Sequence, residues 1–152
     1  MEWIYTVNKG LKHSINPSLD LLFGMTRESI RHAFSYNLEF NEGRFEDEDS
    51  FTSIMGYQNQ WVRPGFRNNL LSEVEVLQGT IIFGNIRLQT HTGLKNTLSK
   101  LKANGYIFQE TAYSYVSYSE KIDIGDSEKN GGIEDLIYWL LISQDLSYIE
   151  LL

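Results

Sequence analysis

The sequence contains no cysteine. This absence excludes a disulfide framework, a thiolate nucleophile, an iron–sulfur cluster and a zinc site with Cys ligands, and it fits a cytoplasmic protein. A run of about 18 consecutive apolar residues is also lacking, and residues 1–5 show no basic segment followed by an apolar one. We therefore expect neither a membrane span nor a secretion signal, and we predict a cytoplasmic location.

Positive charge is scarce, because 13 Lys and Arg stand against 20 Asp and Glu, for a net charge of -7. Proteins that bind nucleic acids need clustered cations to neutralise phosphates, so this balance argues against a nucleic-acid partner. The one basic stretch, residues 87–102, has no stacking aromatic residues among its cations and is interpreted as a solvated helix face. A basic protein partner fits the charge better.

Familiar catalytic and cofactor-binding motifs are missing as well. The chain has no Gly-x-Ser-x-Gly elbow, no Walker lysine loop and no Gly-x-Gly-x-x-Gly turn. His13, His32 and His91 lie far apart and lack the spacing that places two metal ligands on one helix face. The sequence predicts no catalytic residue, no bound cofactor and no metal site.

The residues that are present suffice for a globular core. The 152 residues are 41% hydrophobic, 13% aromatic and 22% charged. A chain of this length can bury about 68–70% of its unfolded surface, so no disulfide or metal is needed for stability. We predict a single domain over residues 1–152.

Two short amphipathic helices are predicted. The first follows the N-cap candidate Thr26 and carries apolar residues at three- to four-residue spacing from Ile30 to Leu38. The second follows the cap candidate Thr92 and ends before Gly105, a residue that suits the position after a helix. Its buried stripe is expected to be Leu94, Leu98 and Leu101.

Two segments, near the middle and at the end of the sequence, share a pattern. Residues 71–77 align with residues 146–152, and in both the aliphatic residues approximate the alternation of a half-buried strand. A turn signal and a second strand candidate precede each segment, at residues 58–62 and 136–142. This pattern predicts one hairpin in each half and an internal duplication.

One segment of the second half is ambiguous. Residues 133–142 also fit helical spacing, but their Ile, Tyr and Trp content and the turn that follows favour a strand. Taken together, the patterns predict an α+β fold of two αβ repeats, at about residues 15–77 and 80–152. We expect the repeats to form one curved antiparallel sheet with two short helices packed on one face.

Acidic residues are concentrated in two segments. Residues 39–49 hold six acids and one Arg, and residues 110–135 hold seven acids and two Lys, a local charge of -5 in each. Neither has the spacing of a calcium loop. The acids either solvate the surface or form a docking surface for a cationic partner. Because unpaired burial of four consecutive acids is costly, we expect residues 46–49 to face solvent or a partner.

Tyrosines provide a second feature of such an interface. In a strand, Tyr113 and Tyr115 would share one face and Tyr118 the other, so at least one ring would face solvent. Ordinary packing would place Trp61, Tyr113 and Tyr115 in the core, and the alternative is that the tyrosines face a partner. Tyr loses little side-chain entropy when fixed, which makes it common in binding surfaces. The candidate partner-binding residues are Glu42, Glu46, Asp47, Glu48, Asp49, Tyr113, Tyr115, Asp123, Asp126 and Glu128.

Residues 19–30, LDLLFGMTRESI, resemble the strand, Gly-Met-Ser/Thr and helix sequence of small bacterial proteins with repeated αβ units, including BLIP-like and BamE-like domains. Residues 71–77 and 146–152 look like the terminal strands of those domains. BamE-like proteins carry a signal peptide and a lipidated Cys, and this sequence has neither, which favours a cytoplasmic binding protein.

The chain is also similar to small, acidic, Cys-poor immunity proteins of bacterial toxin systems, including contact-dependent growth inhibition. That resemblance implies a non-enzymatic inhibitor bound to one cationic toxin domain, such as a nuclease. The alternative is a small-molecule-binding or enzymatic α+β domain.

Overall fold

The computed structural model describes residues 2–53 and 60–152. Its strands are β1 Glu2–Thr6, β2 Gly10–His13, β3 Leu21–Leu22, β4 Leu38–Glu42, β5 Asp49–Ser53, β6 Trp61–Arg67, β7 Leu70–Gln78, β8 Thr80–Phe83, β9 Ile86–Gln89, β10 Gln109–Glu110, β11 Ser114–Ser117, β12 Ile122–Asp126 and β13 Ile137–Ser143. The helices are α1 Arg27–Phe34 and α2 Leu94–Ala103, with short 3-10 turns at Pro17–Leu19 and Glu128–Asn130. The predicted α+β class is confirmed.

The strands form two sheets, so the expectation of one antiparallel sheet is wrong. A large sheet has the order β10-β11-β12-β13-β7-β6-β5-β4, and a small one has the order β3-β2-β1-β8-β9, in which β1 and β8 are parallel. The chain passes from the large to the small sheet at Gly79, whose φ is +154°. A Cβ there would lie 2.6 Å from Gln60 Nε2, so glycine permits this close approach.

The two halves of the chain follow the same order of elements. Each has a hairpin (β1–β2 or β8–β9), then a helix, then a four-stranded meander (β4–β7 or β10–β13). The last strands of the two meanders, β7 and β13, pair antiparallel at the centre of the large sheet. The topological counterpart of β7 is therefore β13.

The prediction that residues 146–152 form a strand equivalent to residues 71–77 is wrong. Both edges of β13 are occupied, by β12 and β7, so no edge is left to pair with residues 146–152 as a hairpin. That segment forms turns and one isolated bridge, between Leu151 and Thr111. The strand predicted within residues 136–142 is confirmed as β13. The first hairpin is confirmed as β6–β7, although residues 58–59 of its first predicted strand lie outside the described residues.

Helix α1 begins as predicted. The Thr26 hydroxyl oxygen accepts a hydrogen bond from Ser29 N at 3.2 Å, which satisfies one free backbone donor of the first turn. The helix ends at Phe34, however, and Leu38 begins β4. The apolar spacing continued past the helix because Leu38 belongs to the same core.

Helix α2 is capped from another element. Thr92 does not cap it, because its hydroxyl donates to Gln89 O. Instead, Asp135 Oδ1 accepts a hydrogen bond from Lys95 N at 2.8 Å. The cap lies 40 residues from its donor, which is why local sequence did not reveal it.

One hydrophobic cluster joins both sheets and both helices. In the large sheet it takes every second residue of the central strands, such as Val74 and Val76 of β7 and Leu140 and Ile142 of β13. The helices contribute Ile30, Phe34, Leu94 and Leu101. The apolar faces of both helices therefore join this core, and the intervening strand residues project from the outer face of the large sheet. Within the part of the chain that the structure describes, neither helix is long and apolar enough to cross a membrane.

Candidate functional site

The outer face of the large sheet carries a row of side chains set by strand register. Arg63 of β6 pairs with Glu75 of β7, which pairs with Leu141 of β13. Leu141 in turn pairs with Asp123 of β12, and Asp123 with Val116 of β11. Because directly paired residues project to the same side of a sheet, all five lie on the outer face.

A cleft of about 820 Å³ lies over this row. Its walls include residues 111–114 and residues 148–150. Five aromatic residues line it, namely Trp61, Tyr113, Tyr138, Trp139 and Tyr148. A recess of about 200 Å³ adjoins the cleft, shares Arg44, Arg63, Glu75, Leu141 and Tyr148 with it, and extends to Asp47, Glu48 and Glu73.

Trp139 is held in place by a glycine and a carboxylate. Its ring lies against Gly125 of β12 so closely that a Cβ at that position would overlap the ring. Its Nε1 donates a hydrogen bond to Asp123 Oδ2 at 3.2 Å. The fixed ring therefore forms a rigid wall beside the carboxylate.

Asp123 is buried, with 3% of its surface exposed. Its Oδ1 has no partner in hydrogen-bonding geometry among the described residues, and the nearby Ser114 hydroxyl is hydrogen-bonded to Thr111 Oγ1 at 2.7 Å. Burial raises the pKa of Asp123, and the nearby Ser114 hydroxyl and the Trp139 indole N–H, in that order, lower it only in part. The cleft floor thus holds a carboxyl group with one unused oxygen.

The neighbouring carboxylates differ in how they are compensated. Glu75 forms ion pairs with Arg44 at 3.0 Å and with Arg63 at 3.6 Å. Glu73 accepts a hydrogen bond from the Tyr148 hydroxyl at 3.3 Å, and burial raises the pKa of Glu73. Among the described residues, no ion pair within 4.0 Å includes Glu73 or Asp123. Negative charge in the cleft is therefore only partly neutralised.

The first acidic segment does not behave as predicted. Glu42, Glu46 and Asp47 are exposed, as expected. Glu48 is half-buried and forms an ion pair with Arg44 at 2.8 Å. Asp49 is only 1% exposed, so the expectation that all of residues 46–49 face solvent or a partner is wrong.

Two arginines of α1 make the burial of Asp49 possible. Arg27 and Arg31 each contact its carboxylate at 2.7 Å. Burial alone would raise the pKa of Asp49, but the hydrogen bonds from Arg31 and Arg27 outweigh it and hold the pKa below its usual range. Asp49 is thus a structural residue that ties β5 to α1.

The acids of the second acidic segment, residues 110–135, also differ in their surroundings. Asp123 lies in the cleft, and Glu128 is exposed. Asp126 is buried, and its Oδ1 accepts a hydrogen bond from Glu128 N at 3.0 Å. Asp126 thus holds the turn Glu128–Asn130 in place, and its contact with a partner stays a prediction.

Tyr113 and Tyr115 do not share a face. Tyr113 is 61% exposed and lines the cleft, whereas Tyr115 packs against the core with Lys129 Nζ 5.2 Å from its ring centre. Tyr113 lies in the bend before β11, so the alternation of the strand does not extend to it. Of the predicted site residues, Asp47, Glu48, Tyr113 and Asp123 border the cleft or its recess.

Sequence reasoning missed most of the cleft. Trp61 was expected in the core but is half-buried and lines the cleft, with Arg63 over its ring. Only the alternation of residues 71–77 indicated that Glu73 and Glu75 project together. The pairing of β7 with β13, which brings Trp139 to the site, has no local signal.

The histidines lie apart. His13 Nδ1 accepts a hydrogen bond from Asn16 N at 2.8 Å, His32 packs edge-on against Tyr36, and His91 lines the cleft. Over residues 2–53 and 60–152, no group of three potential metal ligands comes together.

No model of a known protein family, no curated protein sequence and no solved structure matches this chain. The site is therefore interpreted from its own chemistry.

Proposed function

We propose that this protein is a cytoplasmic binding protein of the toxin-immunity class, which neutralises a basic protein toxin such as a nuclease. Its contact surface is the cleft on the outer face of the large sheet. The proposal depends on one observation, which is that Trp, Tyr and Arg side chains cluster there with carboxylates that are only partly neutralised by ion pairs.

The residue types of the cleft support a protein contact. Trp, Tyr and Arg are the residues that most often dominate binding energy at protein interfaces. Trp61 and Arg63 stand on β6 and Trp139 on β13, and Trp139 is fixed by Gly125, so little side-chain entropy would be lost there on binding. The excess of carboxylates favours a partner of opposite charge.

The first acidic segment, residues 39–49, contributes less to the proposed contact than its sequence predicted. Asp49 and Glu48 are engaged by arginines of the chain itself. Asp47 is exposed at the recess and Glu46 is exposed beside it. These two acids, with the exposed Glu42 and Glu128 farther away, would attract a basic partner from solution.

We also propose that the two halves arose by internal duplication. The shared order of hairpin, helix and meander supports this, with β7 and β13 as equivalent strands. A duplication of this form explains how eight strands build one face broad enough for a protein contact.

An enzymatic or small-molecule-binding role is the second candidate. The volume of the cleft favours it, because about 820 Å³ lies within the range of roughly 300–1,000 Å³ typical of small-ligand sites. Native mass spectrometry of the purified protein would reveal a retained metabolite.

Affinity capture from a lysate of the native host tests the leading proposal. The tagged protein is compared with the double variant Tyr113→Ser/Tyr138→Ser, in which two exposed cleft rings are removed. The control is Tyr36→Ser, whose ring is 72% exposed but lies outside the cleft.

We expect the wild type and the control to retain the same basic protein in stoichiometric amount, and the double variant to retain at least about tenfold less. The captured protein should stop growth when expressed alone and be harmless when co-expressed with this chain. Equal capture by the double variant would contradict the proposed surface. Retention of a metabolite with no stoichiometric protein would favour the second candidate.

A further inference from the structure

Asp123 is a buried acid that the fold does not fully satisfy. Oδ2 accepts the hydrogen bond from Trp139, while Oδ1 has no partner among the described residues. A buried carboxylate oxygen without a donor costs stability, and a fold retains such a group most readily where a ligand completes it. Asp123 lines the floor of the cleft, so a small movement of its side chain would present Oδ1, which is itself covered, to a ligand in the cleft.

The surrounding charges make a cation the fitting ligand. Arg44 and Arg63 both bind Glu75, and neither comes within 4.0 Å of Asp123. The charge of Glu75 adds to burial in raising the pKa of Asp123. Both effects disfavour the ionised carboxylate, and a cation beside Oδ1 would reverse them.

We propose that Asp123 anchors a cationic nitrogen group, the guanidinium or primary ammonium group of a basic side chain that enters the cleft. The group donates a hydrogen bond to Asp123 Oδ1, and its aliphatic stem lies along the aromatic wall that includes Trp139. The inference rests on the proposed function, since it assigns to the basic partner the side chain that fills this cleft.

An NMR titration of the purified full-length chain tests this anchor. The probes are N-acetyl-arginine amide, N-acetyl-lysine amide and N-acetyl-citrulline amide, the last being a neutral counterpart of the first. The readout is the indole N–H signal of Trp139, which is bonded to the same carboxylate. The variants are Asp123→Asn and, as a charge-matched control at an exposed acid outside the cleft and its recess, Glu39→Gln.

We expect at least one of the two cations to bind saturably with millimolar affinity and to shift the Trp139 signal, and comparison of the two identifies whether an Arg or a Lys fits. Asp123→Asn should weaken this binding at least about tenfold, and Glu39→Gln should leave it unchanged. Equal binding of the citrulline compound would overturn the proposal, as would unchanged affinity in Asp123→Asn or no saturable binding.

These results are independent of the capture experiment. Binding of a cation with no captured protein would refute the proposed function and leave the anchor standing. A captured partner with no binding of either cation would refute the anchor and leave the proposed function standing. Thermal unfolding of each variant confirms that it is folded.

Discussion

Asp49 and Asp123 acquire opposite properties from their surroundings. Both side chains are almost fully buried, at 1% and 3% exposure. Two arginines compensate Asp49, and its pKa falls, whereas Asp123 has no cationic partner and its pKa rises. The first stabilises the fold, and the second keeps an unused charge at the floor of the cleft.

Replacing Asp123 by Asn should stabilise the protein at neutral pH. The pKa of Asp123 is higher in the folded than in the unfolded chain, so its ionisation favours unfolding as the pH rises from about 4 through the folded pKa. Because Asn cannot ionise, we expect Asp123→Asn to be more stable by about 1 kcal/mol near neutral pH. The difference should vanish near pH ~3, below the unfolded pKa of about 3.9, where Asp123 is mostly neutral in both the folded and the unfolded chain. Urea unfolding of both proteins at the two pH values measures it, and lower stability of the variant at neutral pH would contradict the account.

Replacing Asp49 by Asn should have the opposite effect. The variant loses the charge that Arg27 and Arg31 contact, and we expect it to be less stable by about 2–3 kcal/mol near neutral pH. The pKa of Asp49 is lowered by folding, so this contribution is present above the unfolded pKa near ~3.9 and is lost as the pH falls through the folded pKa. The same unfolding series measures it. A loss that persists undiminished in strong acid would show that charge is not its cause.

At the scale of elements, the cleft depends on the pairing of β7 with β13. Each strand ends one four-stranded meander, and together they bring Glu75 beside Leu141 and Asp123. Residues 144–152, which follow β13, return over the outer face, where the Tyr118 hydroxyl donates to Ile149 O. The walls of the site thus come from both halves of the chain, while its floor is the centre of the large sheet.

The N-terminus of α2 is capped by Asp135, which lies in a distant part of the chain. Asp135 has φ +60° and accepts the hydrogen bond from Lys95 N. Replacing it by Ala removes the cap and leaves a residue that disfavours positive φ, so we expect a loss of about 1–2 kcal/mol. Asp135→Asn is the control, because Asn caps helices and tolerates this conformation, and it should lie within a few tenths of a kcal/mol of wild type. Denaturant midpoints measure both, and equal stability of the Ala variant would rule out the capping role.

Local patterns predicted the elements better than their arrangement. The cap at Thr26, the β6–β7 hairpin and the strand at β13 followed from residue type and spacing. The parallel pairing of β1 with β8 joins residues far apart in sequence and has no local signal. The same holds for the site, because a run of four acids predicts exposure unless cations from another element, here Arg27 and Arg31, reach it.

At the scale of the whole molecule, the net charge of -7 should act on the rate of association. Neutralising the exposed acids in Glu46→Gln/Asp47→Asn is expected to slow association with a captured basic partner and to leave dissociation nearly unchanged. The difference should shrink as ionic strength rises, since salt screens exposed charges. Surface plasmon resonance at several salt concentrations measures both rates. A faster dissociation with unchanged association would place these acids inside the contact instead.

The central claim is that the cleft is the surface that contacts the partner, and the three tryptophans of the chain allow a direct test. Trp61 and Trp139 line the cleft, whereas Trp3 is fully buried and donates its indole N–H to Leu19 O at 2.9 Å. The indole N–H NMR signals are recorded before and after saturation with the captured partner. We predict that the signals of Trp61 and Trp139 shift and that the Trp3 signal does not. Formation of the complex with both cleft signals unchanged would contradict the account.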